Sequence, residues 1–371
     1  MKKIKVLYTI PNFDTAGSGK ALLNLALGLN KELFEPHILC LHNRGAFFET
    51  VEKSGIPIYV FDYIPKERPI LQMLKKCWKL SRKLKAIQPD IVHSFHYNSN
   101  YTEGLSTRLA GIKWVFTKKN MSWGGLSKNS WKLRSFLANR IALQNTDMSE
   151  SFYPNSNKTS LIPRGVNLEK FRFSEPKPDI KISMGTTEDQ RVLVCVANLV
   201  PVKGIETIIS AFALLSEKFP DWVLWIVGDN QNDYGAKLLE LATSLNLNSK
   251  VIFSGKKMNV TDYLNHSEIF VLPTLEKGEG SPVALLEAMA NSKVVLGSRV
   301  PGIKDQLRGF PDHLFTPKNE IELAEKLAVF MCKSRAELNE LGKEFQNLVS
   351  QRYSIETEIQ KHEEFYLSLL Q

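Results

Sequence analysis

Four cysteines in 371 residues, Cys40, Cys77, Cys195 and Cys332, stand far apart, with no Cys-x-x-Cys pair. A disulfide scaffold and a cysteine-based zinc site are thereby excluded, and isolated thiols suit a reducing compartment. No apolar run approaches the ~18 residues of a membrane span. The segment Ile4–Ile10 behind Met-Lys-Lys is too short and too early for a secretory signal, so the expected location is the cytoplasm. No repeat or low-complexity tract is present. The glycine-rich stretch Asn12–Lys20 also lacks what the common nucleotide loops require. Asp14 stands five before Gly19 where a Walker loop has glycine, Ala21 replaces the magnesium-binding hydroxyl, and Leu22 occupies the third glycine of a dinucleotide fingerprint. What remains there is a glycine-rich turn at a helix N-terminus.

With 43% apolar residues the chain can bury two ordinary cores. Short apolar strands alternate with helical patterns twice over. The strands of the first half are Lys3–Ile10, Pro36–Leu41, Pro57–Phe61, Asp90–Phe95, Lys113–Thr117 and Ser160–Pro163. Those of the second half are Val192–Ala197, Trp222–Val227, Lys250–Phe253, Ile269–Leu272 and Lys293–Leu296. This rhythm predicts an α/β protein of two doubly wound, Rossmann-like domains, 1–175 and 176–353, with a polar linker from Glu175 to Gln190. Ligands of such sheets bind at the carboxyl ends of the strands, so an interdomain cleft is the expected site. Charge divides unevenly: 27 Lys+Arg against 13 Asp+Glu in residues 1–176, and 21 against 26 in the rest. A basic first half points to an anionic partner.

The most specific segment is PTLEKGEGSPVALLEAMANSKVVLGSRVPGIKDQLRG, from Pro273. Glu279 and Glu287 are separated by seven residues, with Gly280, Ser281 and Pro282 between them and a helix former run carrying the second. Ser281 reads as an N-cap and Pro282 as the first helical residue, leaving free N–H groups where a diphosphate can sit. From Pro282 to Glu287 the helix rises roughly 7–8 Å at ~1.5 Å per residue, so the two carboxylates flank that anion site. The segment resembles the Glu-x7-Glu signature of retaining GT-B glycosyltransferases, the family 4-like group 1 transferases, with strand, turn, helix and following strand in family order. The resemblance implies a GT-B fold, a nucleoside-diphosphate sugar donor, UDP- or GDP-linked, and a last helix, 354–371, that returns to the first domain. It assigns Glu279 to the transferred sugar and Glu287 to the ribose hydroxyls.

Other candidates follow from the same resemblance. Lys203, in Pro201-Val-Lys-Gly204, matches the lysine of a loop that ordinarily reads Arg-Leu-x-x-x-Lys-Gly and contacts the diphosphate. Asn198 replaces its arginine, so either another arginine substitutes or the leaving group is less stabilised. Arg164, in Ile162-Pro-Arg-Gly-Val-Asn167, is the candidate substitute, with Arg299 behind it. Gly17 and Gly19 resemble the family's Gly-Gly loop beside the donor phosphates. His93 and His96, in Asp90-Ile-Val-His-Ser-Phe-His96, and Lys119, where the family commonly has histidine, belong to the acceptor side. Backbone groups from Gly255 to Met258 are expected to read the base. No Asp-x-Asp metal site with suitable context appears, and cationic groups can neutralise the phosphates, so the reaction is expected to need no metal cofactor.

The pattern at 70–88 places Ile70, Met73, Cys77, Leu80, Leu84 and Ile87 on a core face. Lys75, Lys76, Lys79, Arg82 and Lys83 lie opposite, with Trp78 at their margin. Contact with an anionic membrane surface, on the inner face of the cytoplasmic membrane, is the expectation. The sequence thus predicts hexosyl transfer, in polysaccharide biosynthesis, to a cell-envelope glycan or lipid-linked acceptor. The alternative is a non-catalytic sugar-binding or scaffolding subunit, favoured by Asn198 and Lys119 and opposed by Glu279, Lys203 and Glu287. A nucleic-acid binder would explain the basic half but has no recognition motif.

Overall fold

The structure, a computed structural model, describes residues 2–14, 16–45, 47–122, 128–276 and 279–370. It divides into two compact units, Met1–Pro163 with Glu356–Gln371, and Arg164–Ile355.

The first unit is built on β1 (Ile4–Ile10), β2 (Phe34–Cys40), β3 (Ile58–Val60), β4 (Ile91–Ser94), β5 (Lys113–Lys118), β6 (Arg140–Leu143) and β7 (Thr159–Leu161). All pair in parallel, in the order β3-β2-β1-β4-β5-β6-β7. The pleat sends Val6, Tyr8 and Ile10 into a cluster with Leu22, Leu25 and Tyr366 on one face. Leu7 goes to the other face, with Leu80, Leu84 and Trp114. One strand, β6, is absent from the sequence reading. It is only four residues long, follows closely on the helix Lys128–Leu137 and opens with an arginine, so it carries too little pattern to separate from that helix.

The second unit holds β8 (Arg191–Val196), β9 (Trp222–Val227), β10 (Val251–Gly255), β11 (Ile269–Leu272), β12 (Val294–Ser298) and β13 (Leu314–Phe315). These are also parallel, in the order β10-β9-β8-β11-β12-β13. Leu193, Cys195 and Val271 face one cluster; Val194, Phe270 and Leu272 face the other.

Two expectations need correction. The division falls at Pro163 rather than at 175, because Val166 exchanges backbone bonds with Tyr353 and Ile355 and Phe171 packs in the second core. The segment read as a linker is folded. A helix spans Pro178–Ser183, and the buried Lys181 ammonium donates to the carbonyls of Thr187, Glu188 and Gln190 at 3.1, 2.7 and 2.9 Å. The tail helix Ile355–Leu367 packs on the first unit, where Gly28 leaves room for Ile359 and Glu363 accepts from the Asn30 N–H at 2.6 Å. Its glutamates, Glu356, Glu358, Glu363 and Glu364, answer part of that unit's positive charge.

Candidate active site

In an open parallel sheet the crevice lies where strand order reverses, beyond the carboxyl ends. In the second unit that point is between β8 and β11, so the loops 197–204 and 273–282 must line it. They are tied together: the Leu275 N–H donates to the Val202 carbonyl at 2.8 Å, and Gly204, at φ +59°, passes so close to the Pro273 carbonyl that a Cβ would sit 2.4 Å from it. This close approach explains the glycine after Lys203.

Across these loops the Lys203 ammonium donates to Glu279 Oε1. Thr274 Oγ1 donates to the same oxygen at 3.1 Å, and Ser298 Oγ, from the end of β12, donates to the Thr274 carbonyl. Glu279 is therefore fixed from two sides through one carboxylate oxygen. Ser281 is not the N-cap. The helix is Val283–Ala290 and Pro282 caps it, with extended backbone and no side-chain bond. The Ser281 hydroxyl instead accepts from the Arg164 N–H and the Gln306 amide, both at 3.2 Å. Gly302, at φ +81°, closes over the turn, where a Cβ would meet the Gly280 carbonyl at 2.4 Å. The turn from Gly280 to Pro282 is thus held in place at the start of Val283–Ala290, and the first N–H groups of a helix have no helical carbonyl to bond, which suits such an end to an anion. Glu287 is half-buried one turn and more along that helix.

Arg164 belongs to this unit and its backbone touches the same turn, whereas the Arg299 N–H pairs with Phe315 on β13. Asn198 is exposed at the end of β8. Gly255 ends β10 and Met258 lies just after it, two strands from the switch point, about 9–10 Å away at strand spacing. Gly255 takes φ +71° and accepts from the Gly228 N–H at 3.2 Å; Met258 is 76% exposed. Lys277 and Gly278 fall outside the described residues. The sequence reading missed Thr274, Ser298, Gln306 and Gly302; only Gly302, within Val300-Pro-Gly-Ile303, carried a turn signal. It also missed Tyr234, whose hydroxyl donates to Glu206 and accepts from the Ile205 N–H at 3.0 Å. Burial, then Glu206, raises its pKa.

The first unit reverses strand order between β1 and β4. Here the acceptor-side histidines must be corrected. His93 is buried, with Nδ1 bonded to Tyr366 OH at 2.6 Å and Nε2 to Thr117 Oγ1 at 2.8 Å, so neither nitrogen can reach a substrate. Burial, then His362, pushes its pKa well down. His96 is buried too, between Glu103 Oε2 at 3.0 Å and Arg134 at 2.8 Å. Glu103 also accepts from Thr9 and Ser94, at 2.5 and 2.7 Å. Burial, then Arg134, holds the His96 imidazole at about 4. What the crevice exposes is Tyr97, whose hydroxyl bonds Ser18 Oγ at 2.6 Å. The Lys119 ammonium lies over that ring at 4.6 Å and donates to the Phe95 carbonyl. Gly17 and Gly19 stand in the first turns of the helix Ala16–Gly28, not in a loop before it. Gly17 is open, while a Cβ on Gly19 would meet the Phe13 ring at 2.9 Å, a packing role. Thr15 lies outside the described residues. Among the described residues no three His, Cys, Asp or Glu side chains cluster as a metal site.

Residues 176–346 match the sequence model described as glycosyl transferases group 1, and residues 15–170 match glycosyltransferase family 4. The chain is 26% identical to the Escherichia coli UDP-Gal:alpha-D-GlcNAc-diphosphoundecaprenol alpha-1,3-galactosyltransferase, over 92% of this chain and 91% of that one. It is 24% identical to the Campylobacter jejuni N,N'-diacetylbacillosaminyl-diphospho-undecaprenol alpha-1,3-N-acetylgalactosaminyltransferase, over 83% and 87%. In fold it is similar to a Rickettsia africae glycosyltransferase, with a TM-score of 0.88 at 17% identity over 100% of both chains. Anabaena HepE, solved in complex with UDP and glucose, gives a TM-score of 0.81 at 19% identity over 98% and 100%.

Proposed function

The chain belongs to the group 1 glycosyltransferases, with a GT-B fold, and from that premise we propose that it moves a hexose-type sugar, with retention, from a nucleoside-diphosphate donor to a lipid-linked envelope glycan. The observation that carries the reading is the meeting of Lys203 and Glu279 at the switch point, beside the braced turn at the start of Val283–Ala290. A diphosphate placed on the free N–H groups of that helix draws Lys203 toward its oxygens. Glu279 then turns its carboxylate to the sugar hydroxyls, and Glu287, further along the helix, takes the ribose. The base falls toward Gly255 and Met258. UDP is favoured over GDP by HepE, solved with UDP, and by the E. coli relative, a UDP-Gal transferase. The two relatives that act on diphosphoundecaprenol-linked sugars favour the lipid-linked acceptor.

In the reaction the bond from the anomeric carbon to the donor diphosphate breaks, and a bond to the acceptor hydroxyl oxygen forms on the same face of the sugar. The hydroxyl proton passes to the departing phosphate oxygen. No protein nucleophile takes part. Charge accumulates on the leaving diphosphate, and Lys203, the helix amides and Arg164, set against Ser281, stabilise it; this is where such contacts lower a barrier. With cations and amides in that role the transfer needs no metal. A panel of nucleoside diphosphates and their sugars in a thermal-shift assay tests the donor class: a ligand at 100 times its Kd stabilises by about 2.7 kcal/mol. Proton NMR of fresh product then reads the anomer, in the presence of EDTA. A product with inverted configuration, or activity abolished by EDTA and restored by a divalent cation, overturns the mechanism.

A further inference from the structure

The helix Ile70–Ile87 covers one face of the first sheet with Met73, Cys77, Leu80, Ser81 and Leu84. It leaves large apolar side chains outside: Leu71 is 83% exposed, Trp78 53% and Leu74 45%. Single exposed apolar residues are ordinary on a surface, but these are not scattered. At about 100° per residue Leu71, Leu74, Trp78, Arg82 and Lys85 fall on one flank of the helix, with Lys75 at its margin. The Arg82 guanidinium stands over the Trp78 ring at 5.2 Å. Residues 70–88 contain no acid, and Lys76, Lys79 and Lys83 extend the positive charge around the helix.

The ends of the helix give the surface a direction. Its start lies beside the loop after β4, where Asn100 Nδ2 and Thr102 Oγ1 donate to the Pro65 carbonyl at 3.3 and 2.9 Å. Its end lies at the opposite edge of the sheet, where the Asp90 carboxylate accepts from the Lys5 N–H, at the start of β1, at 2.8 Å. Leu71 and Leu74 are therefore on the carboxyl edge of the first unit, with Tyr97 and Lys119.

We propose that this helix is a docking element for an anionic bilayer, in which Leu71, Leu74 and Trp78 enter below the headgroups while Lys75, Arg82 and Lys85 meet lipid phosphates. A basic flank beside an apolar row is the chemistry of an interfacial helix. A second copy of this chain would bring the same cations against each other, and charge therefore selects lipid over self-association. The inference rests on the lipid-linked acceptor proposed above for its purpose: docking turns the acceptor-side edge of the first unit to the membrane.

Co-sedimentation of the full chain with phosphatidylcholine vesicles, with and without phosphatidylglycerol, tests it. The wild type is expected to pellet with the anionic vesicles only. At about 1 M salt, where the Debye length is roughly 3 Å, binding is expected to weaken without vanishing, because the apolar row is not screened. K75Q/R82Q/K85Q is expected to bind roughly 10²-fold more weakly, from about 1 kcal/mol per cation. L71S/L74S/W78S, exposed substitutions that leave the core intact, is expected to lose the salt-resistant fraction alone. Indifference of the wild type to both vesicles, equal binding to neutral ones, or a serine variant that binds like wild type at high salt overturns the proposal. So does a serine variant that passes from dimer to monomer on gel filtration. Vesicle binding needs no donor, so a chain that docks but turns over no nucleotide-sugar removes the transfer reading alone, and a chain that transfers to a soluble acceptor but ignores vesicles removes the docking alone.

Discussion

At the second unit's switch point an ammonium and a carboxylate meet with 18% and 10% of their side chains exposed; at the first unit's, His96 and Glu103 meet with 0% and 2%. The sheets are alike, parallel and reversing beside their first strands. In the second unit the charged pair sits in loops beyond the strand ends, where a ligand can compete for it. In the first, the network of Thr9, Ser94, His96, Glu103 and Arg134 is buried and its groups bond one another, with His96 Nδ1 and Arg134 Nε left without a partner. The same position in the same architecture therefore leaves a charged pair within reach of a ligand in one unit and locks one into the core of the other, and depth makes the difference.

This contrast can be broken experimentally. Arg134→Met should be the most damaging change to stability. It removes the buried cation that offsets the Glu103 charge and that bonds His96 and Ser94, and a buried charge left uncompensated costs about 3–5 kcal/mol; urea unfolding would read it. Lys203→Ala should leave the fold intact and cost on the order of 10²–10³ in turnover, about 2.7–4 kcal/mol, the scale of one preorganised contact to developing charge. If Arg164 replaces the arginine that Asn198 displaced, Arg164→Ala should behave likewise and Asn198→Arg should partly rescue it; steady-state kinetics of the three variants decides. Glu287→Ala should weaken nucleotide binding by about 1.5–3 kcal/mol, a charged hydrogen bond, with little change in turnover at saturation. Calorimetry with the free nucleotide measures it.

A further effect is graded by pH. His96 is held at about 4 in the fold against an ordinary 6.5, and His93 is also well below that value, so the unfolded chain binds more protons than the folded one between those limits. Stability is then full above pH ~6.5 and falls as the pH drops toward ~4, with a limiting slope of about 1.4 kcal/mol per pH unit from His96 and a contribution of the same sign from His93. Denaturation midpoints across that range should show this slope for unfolding of the first unit, and His96→Gln should flatten it.

Much of this was legible in the sequence, and the contrast explains what was not. The meeting of Glu279 with Lys203 and the place of Glu287 on the following helix were readable because Gly, Ser and Pro stand there beside strong strands and helices. Both sheets followed from apolar alternation, apart from the short β6 and β13. The role of Ser281 was misread because its hydroxyl is claimed by Arg164 and Gln306, distant in sequence. His93 and His96 were visible as strand-end histidines, but their partners Tyr366, Arg134 and Glu103 come from three separate helices, and nothing local records the burial. The supposed linker looked polar because the carbonyls that hold Lys181 are backbone groups, which composition does not report.

Glu279→Gln tests the central claim most directly, with nucleotide affinity and turnover measured on the same preparation. If the second unit's Lys203–Glu279 pair serves the transferred sugar, the free nucleotide should bind as tightly as to wild type while turnover falls by about 10²-fold or more. Lost nucleotide affinity with turnover preserved at saturation would contradict the account.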